Sequence, residues 1–278
     1  MMDLLPRIPI NRWTDIGIEY LQIKWGGGFD SLSEFLKGFI ISLQDLLIFI
    51  PPALMILILA LLAWRFINKK AALFGIIGLY LIYNVGLWGA TMQTLAMVIS
   101  SVVLCIILGI PLGILAAKSD TAHQIITPIL DFMQTLPAFV YLLPAVTFFG
   151  LGVVPAAIAT LIFAMPPVIR LTDLGIKQVP EELVELGHSF GSTFHQMLFK
   201  IELPLARPTI MAGINQCIML SLSMVVISAM IGAKGLGGEV WRAIQRMEIG
   251  NGFEAGLAIV VIAILLDRIT QSFGKNED

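Results

Sequence analysis

The sequence predicts an all-α polytopic membrane protein with about seven transmembrane helices. Its composition is the first reason, because 58% of the residues are apolar, only 13% are charged and the mean hydropathy is +0.91. Soluble domains carry about 25% charged residues, so a water-soluble chain of this composition would expose much apolar surface. The second reason is a series of charge-free stretches, several of which reach the roughly 20 residues that a spanning helix needs.

Residues 1–45 are mixed in character and are interpreted as an N-terminal segment. Pro6, Pro9 and Gly26–Gly28 are expected to interrupt it. Apolar residues then recur at helical spacing and predict an amphipathic helix on the membrane surface, although they could also be the polar start of the first span. These apolar positions are Leu32, Phe35, Leu36, Phe39 and Ile40.

Residues 46–278 are interpreted as the transmembrane domain. A charge at the centre of a span costs roughly 3 kcal/mol, so uncharged windows mark the spans. The windows are 46–64, two within 71–117 broken at 87–93, two within 132–169 broken at 150–155, then 208–233 and 255–266.

The distribution of lysine and arginine predicts the orientation. The short turn at 65–70 carries three positive charges, whereas the breaks at 87–93 and 150–155 carry none. Positive short loops stay in the cytoplasm. The N-terminus is therefore expected outside, and a polar insert at 170–207 is expected in the cytoplasm.

The insert 170–207 interrupts the apolar chain with a helical pattern. Pro180 followed by two glutamates is typical of a helix start, and apolar residues then recur every three or four positions. Gly191 followed by Ser192 predicts a helix stop and a new N-cap. We expect two short helices that meet at an angle near Gly191 and end at Pro204.

The insert resembles the cytoplasmic motif of the permease subunits of bacterial ABC importers. That motif reads E-A-A, three residues, G, nine residues, I-x-L-P. Leu186 and Gly187 stand where two alanines are usual. The resemblance implies that the matching residues couple the permease to an ATPase. They are Glu185, Gly191, Ile201, Leu203 and Pro204.

Three further segments, 131–146, 163–180 and 232–240, are similar to the permease of the glycine betaine/proline betaine osmoprotectant importers. The likeness covers roughly residues 45–270. It implies half of an importer in the bacterial plasma membrane, with a second copy of this permease as a homodimer. It also implies two copies of an ABC ATPase subunit, which use ATP and Mg²⁺, and an extracytoplasmic substrate-binding protein. The chain contains no G-x-x-x-x-G-K-[ST] sequence, so we expect no ATP site, no bound cofactor and no enzymatic activity of its own.

An aromatic-rich stretch at 132–149 is a candidate for the translocation pathway. Aromatic faces attract quaternary ammonium groups, although ordinary packing and interfacial anchoring are the alternative interpretation. Its prolines are expected to kink it. The candidate residues are Gln134, Pro137, Phe139, Tyr141 and Pro144.

Other features receive structural interpretations. The net charge of −2 gives no basic excess for nucleic acid, and the scattered histidines predict no metal site. Cys105 and Cys217 are expected to be small buried residues. Asn84 is expected mid-span, in a hydrogen bond between helices, and Arg170 is expected to pair with Asp173.

Three alternative functions remain open at this stage. The same architecture could import another small solute such as choline, carnitine or methionine. An ion-coupled secondary carrier would need ionisable residues inside the spans, which the first six windows lack. A membrane scaffold would transport nothing.

Overall fold

The computed structural model of the chain describes residues 9–274, which form thirteen α-helices and no β-strand. A 3₁₀ turn at Ala138–Tyr141 and a π-helical turn at Leu198–Glu202 connect some of them. The helices are α1 (Ile10–Phe49), α2 (Pro52–Phe66), α3 (Lys69–Asn84), α4 (Trp88–Lys118), α5 (Asp120–Thr135), α6 (Leu142–Phe149), α7 (Val153–Ala164), α8 (Pro166–Lys177), α9 (Glu181–Ser189), α10 (Phe194–Met197), α11 (Leu203–Ala229), α12 (Leu236–Arg246) and α13 (Ile249–Gly274).

The N-terminal segment is one continuous helix where interruptions were expected. α1 runs for 40 residues through Gly26–Gly28, and Pro9 precedes its first turn. Its Gln22 side chain donates a hydrogen bond to the Thr147 carbonyl oxygen (2.7 Å), and its Phe29 ring lies 4.7 Å from that of Phe148. α1 therefore packs against α4 and α6. Pro6 lies outside the described residues.

The apolar face of the predicted amphipathic helix is divided between the protein and its surroundings. Leu36 and Ile40 are buried, whereas Leu32, Phe35 and Phe39 are exposed. This face therefore packs on the helix bundle and also presents apolar side chains outward.

By length and composition, four segments could cross a membrane alone: 88–118, 153–177, 194–229 and 249–272. Two bent pairs could each add one more, namely 11–49 with 52–66 (99°) and 120–135 with 138–149 (107°). The expected number of seven is therefore not confirmed. α3 has only 16 residues, a rise of about 24 Å against a hydrocarbon core of about 30 Å.

Three helices, α4, α8 and α11, pack closely because glycines line their contacts. A Cβ atom at Gly113 of α4 would lie 2.5 Å from Thr172 Cβ of α8. A Cβ atom at Gly213 of α11 would lie 2.9 Å from the Pro167 carbonyl oxygen of α8. Small residues at such contacts allow helix backbones to approach, which is a typical device of membrane helices.

The glycine-rich segment 232–240 forms a tightly packed turn that leads into α12, a helix not foreseen as a separate element. Gly235 has a φ of 108°. The backbone N–H of Leu236 donates to Thr94 Oγ1 at 2.8 Å, and Gly237 lies directly against the Val225 carbonyl group. The segment is thus a fixed turn rather than a flexible loop.

Two pairing predictions were wrong. Asn84 is the last residue of α3 and is exposed, so it is not mid-span. Arg170 pairs with Asp131 of α5 (2.5 Å), while Asp173 pairs with His123 and Lys177, both at 2.9 Å. The neighbouring α5 supplies Asp131 to Arg170 and His123 to Asp173, and within α8 Asp173 pairs with Lys177 instead of Arg170.

The burial of both cysteines was predicted correctly. Cys105 of α4 and Cys217 of α11 are fully buried and free. The Cys105 thiol donates a hydrogen bond to the Leu161 carbonyl oxygen of α7 (3.7 Å).

Candidate coupling insert and pathway segment

The first arm of the insert, α9, ends in a glycine-based corner. Gly191 has a φ of 71°, a left-handed conformation that glycine adopts without strain. The Ser192 N–H donates to the Gly187 carbonyl oxygen (3.1 Å), and the Gly191 N–H donates to that of His188 (2.9 Å). This pair of bonds is a Schellman motif. The predicted break between two short helices at Gly191 is confirmed.

The second arm begins one residue later than expected. Thr193, not Ser192, is the N-cap: its Oγ1 accepts from the Gln196 N–H (3.4 Å), and Gln196 Oε1 accepts from the Thr193 N–H (2.9 Å). This reciprocal arrangement is a capping box. Ser192 is instead used to complete the Schellman motif.

Pro204 does not end the insert as expected. α10 continues through the π-helical turn into α11, and 194–229 forms one helical segment. Pro204 lies where the π-helical turn passes into α11, so its missing N–H falls at a change of helical geometry and not inside a regular α-helix. The second arm of the insert and the following long helix are therefore physically one element.

Gly187 allows the two arms to close on each other. A Cβ atom at Gly187 would lie 2.6 Å from Met197 Cε and 2.8 Å from Ile201 Cδ1, well below the roughly 3.5–4.0 Å of a normal carbon contact. Glycine stands where the resembling motif has alanine because these two side chains occupy the space of a methyl group. Ile201 is thus a packing residue inside the insert.

The outside of the corner carries exposed apolar side chains, which we call the corner surface: Leu186, Phe190 and Phe194. They are 52%, 82% and 57% exposed. Glu185 lies beside them, exposed, with no hydrogen bond or ion pair from its carboxylate in the described part of the chain. An apolar cluster of this kind on a polar element is typical of a surface that contacts another protein.

A buried ion pair at the base of the insert was missed from the sequence. Glu202, on the π-helical turn, is only 3% exposed, and its Oε1 lies 2.5 Å from Nζ of Lys118, the last residue of α4. The partners are 84 positions apart, so no spacing rule connects them. The available signal was a glutamate between the apolar residues Ile201 and Leu203, just before Pro204.

The candidate pathway segment is sharply bent rather than straight. α5 meets the helical segment 138–149, which comprises the 3₁₀ turn and α6, at 107°, with Pro137 at the junction as expected. Pro144 lies in the first turn of α6 and adds no further break. Two spans broken at 150–155 were expected within 132–169, and the described helices there are the bent pair 120–149 and the segment 153–177. The first begins at Asp120, earlier than the uncharged window, and it is kinked as its prolines predicted.

Within this segment Tyr141 is buried and stabilises the bend. It is 6% exposed, its hydroxyl donates to the Met133 carbonyl oxygen, and its ring centroid lies 6.3 Å from that of Phe163. Gln134 and Phe139 are exposed. The three candidates other than proline thus divide into one buried anchor, Tyr141, and two exposed side chains, Gln134 and Phe139.

Replacing Tyr141 by phenylalanine is expected to lower the free energy of unfolding by about 1–3 kcal/mol, because the Met133 carbonyl oxygen loses its partner. The change is measured as a lower thermal midpoint of the detergent-solubilised protein. Tyr80→Phe is the matched control, since Tyr80 is exposed on α3. Equal midpoints for the two variants would show that the hydroxyl does not stabilise the bend.

Comparison with known proteins places these features in a family. Residues 109–276 match the family model described as binding-protein-dependent transport system inner membrane component. The chain is 53% identical over 271 residues to the glycine betaine transport system permease protein OpuAB of Bacillus subtilis, covering 98% of this chain and 96% of that protein.

Two more relatives are similar over almost the whole chain. The glycine betaine/carnitine transport permease protein GbuB of Listeria monocytogenes is 48% identical, covering 99% of this chain and 98% of that protein. The glycine betaine/proline betaine transport system permease protein ProW of Escherichia coli is 45% identical, covering 97% of this chain and 76% of that protein.

The fold is similar to that of a solved transporter chain. An inward-facing structure of the MetNI methionine ABC transporter matches with a TM-score of 0.58, covering 65% of this chain and 92% of that chain. The sequence identity is only 21%, so this match supports the fold and not the substrate.

Proposed function

This chain belongs to the family of binding-protein-dependent transport system inner membrane components, and on that premise we propose that it is the permease of an ATP-driven importer of glycine betaine and proline betaine. The single observation that carries the substrate is the identity of 53%, 48% and 45% to three permeases named for glycine betaine. These similarities extend over at least 97% of this chain. The all-α multi-pass architecture and the fold match agree with a permease.

The corner surface and Glu185 are the proposed contact with the ATPase, on the cytoplasmic side of the membrane. Phe190 and Phe194 protrude on either side of Gly191, so they can enter a cleft of a soluble partner together. The Schellman turn fixes the angle at which they are presented. Three basic residues in the 65–70 turn support the cytoplasmic orientation through the positive-inside rule.

Movement of the ATPase is transmitted by the continuity of α10 with α11. Ile201 packs the two arms together, and Leu203 with Pro204 begins α11, so all three residues lie between the docking corner and the long helix. Close glycine contacts join α11 to α8 and α8 to α4. A rigid-body displacement of the insert therefore moves this packed group, which is the kind of motion that alternates access in transporters.

The proposed assembly contains two copies of this permease, two ATPase subunits and an extracytoplasmic substrate-binding protein. The ATPase binds and hydrolyses ATP with Mg²⁺, and this chain supplies the membrane pathway and the coupling contact. The sequence supports this division of labour, since it has no phosphate-binding loop of the Walker type. The ligand is selected mainly by the binding protein.

The bent segment is the proposed lining of the translocation pathway. Gln134 and Phe139 are exposed close to the bend at Pro137, and an aromatic face attracts a quaternary ammonium group weakly enough to release it. Tyr141 stabilises the bend rather than contacting the solute, and Pro144 lies beyond the bend in the first turn of α6.

Reconstitution tests the proposal. The permease, its ATPase and its binding protein are placed in liposomes, and uptake of labelled glycine betaine is measured with and without MgATP. We expect uptake that requires ATP, is unaffected by a protonophore and is inhibited by excess proline betaine. Inhibition by methionine instead would assign another solute. Uptake by the permease alone, driven by an ion gradient, would assign a secondary carrier.

A further inference from the structure

Glu202 is an unusual residue for its place in the fold. Its carboxylate is almost fully buried at the π-helical turn, where the insert becomes α11. Oε1 lies 2.5 Å from Lys118 Nζ, while Oε2 is buried without a hydrogen-bond partner in the described part of the chain. Lys118 itself is partly exposed. The single described partner of this carboxylate therefore comes from a different helix.

Stability alone is a poor explanation for this pair. Removing a carboxylate and an ammonium group from water is costly, and a buried pair is often no more stabilising than apolar residues of the same size. Here the cost is higher still, because one carboxylate oxygen is not hydrogen-bonded. An apolar residue at 202 would have a smaller desolvation cost than glutamate, because its neighbours Leu198 and Ala206 are apolar and also buried. A role beyond stability accounts better for the charge.

The position of the pair indicates that role. Lys118 is the last residue of α4, and five residues earlier Gly113 packs α4 against Thr172 and the Ile169 carbonyl oxygen of α8. Glu202 lies one residue before α11. The pair thus joins the base of the insert to the end of α4, at a π-helical turn, which is a wider and less regular turn than the α-helix on its C-terminal side.

We infer that Glu202 and Lys118 are positioning residues for coupling: their ion pair ties the π-helical turn to α4, so that a displacement of the insert moves α4 and α11 together instead of being absorbed by the turn. This inference rests on the proposed function, in which the insert receives the movement of the ATPase. Neither residue needs to contact the ATPase or the solute.

The experiment uses the complete transporter in liposomes and measures two rates on the same sample, glycine betaine uptake and ATP hydrolysis. The variants are Glu202→Gln, Lys118→Met, the double neutral variant with both changes, and the reversed pair Lys118→Glu with Glu202→Lys. Glu34→Gln is the matched control, because Glu34 is exposed on α1 and has no partner in the described part of the chain. The yield of assembled complex is recorded for each.

The expected result is a loss of coupling rather than of activity. Glu202→Gln should lower the number of glycine betaine molecules imported per ATP by about tenfold, with ATP hydrolysis and complex yield retained. The double neutral variant should stay uncoupled, because it lacks the ion pair between the π-helical turn and α4. It carries no unpaired charge, so an uncompensated charge could not explain that result. The reversed pair should recover part of the ratio, and Glu34→Gln should match the unmodified protein.

Two outcomes would overturn the inference. If the double neutral variant regained the normal ratio, the single variants would have failed only through an unpaired buried charge. If uptake, hydrolysis and complex yield fell in parallel, the pair would serve folding alone. Failure of the proposed function is distinguishable from both, because the unmodified protein would then show no ATP-dependent uptake at all.

Discussion

Replacing Gly191 by glutamate is expected to abolish ATP-driven uptake, by at least about 100-fold, while the protein still inserts into the membrane. A Cβ atom at Gly191 meets nothing within 4 Å, so the side chain itself causes no clash inside this chain. Its positive φ costs a non-glycine residue only about 1–2 kcal/mol. The larger effect comes from an unpaired carboxylate between Phe190 and Phe194, where burial against a partner costs about 3–5 kcal/mol.

Gly191→Asn is the control that separates the backbone from the charge. Asparagine adopts the left-handed conformation more readily than other residues and often replaces glycine after a helix. We expect Gly191→Asn to retain most uptake and most ATPase binding, measured by co-purification of the two subunits. Normal uptake by Gly191→Glu would rule out the corner surface as the docking contact.

Replacing Gly237 by alanine is expected to destabilise the protein more than the same change at Gly113, Gly187 or Gly213. The new Cβ atom would lie 2.1 Å from the Val225 carbonyl oxygen and 2.6 Å from its carbonyl carbon, so the backbone of α11 or α12 must move. Overpacking of this kind costs about 3 kcal/mol. The thermal midpoint should then fall by roughly 10 °C, as measured on the detergent-solubilised protein.

The neighbouring glycine supplies the control. A Cβ atom at Gly238 would lie 3.4 Å from the Ala233 carbonyl oxygen, which is an ordinary contact. Alanine also favours a helix over glycine by about 1 kcal/mol, so Gly238→Ala should leave the midpoint unchanged or raise it. Equal losses from the two variants would show that α12 does not pack against α11 as described.

Local chemistry explains which parts of the structure the sequence could predict. The corner at Gly191 follows from a glycine that ends one helix and polar residues that start the next, and both signals act within a few residues. The break at Gly150–Gly152 was placed correctly for the same reason, since both glycines have positive φ values. Apolar composition was enough to predict an all-α membrane protein.

Features that depend on distant partners could not be predicted in this way. α1 passes through Gly26–Gly28 because α4 and α6 support it, which outweighs the weak helix propensity of glycine. Arg170 pairs with Asp131 and not with Asp173, because α5 brings the Asp131 carboxylate close to it. Lys118 and Glu202 meet only once the whole bundle is assembled.

The choice between Ser192 and Thr193 as the N-cap shows how closely the sequence can predict the first residue of a helix. Serine and threonine are both good N-caps, and the second helix could begin after either Ser192 or Thr193. The deciding group was Gln196, which completes a reciprocal capping box only with Thr193. Pro204 was misinterpreted because proline often follows a helix end, whereas here a π-helical turn precedes it and the chain stays helical.

Because the second arm is continuous with α11, a small rotation at the base of the insert displaces the far end of that long helix. α11 contains 27 residues and so extends for about 40 Å beyond the π-helical turn. A tilt of about 5° at that turn displaces Ala229 sideways by about 3.5 Å, the width of a methyl group. The glycine turn at 232–235 follows within a few residues. Under the proposed coupling, a small rotation at the base of the insert would therefore become a displacement of several ångströms near the 232–235 turn.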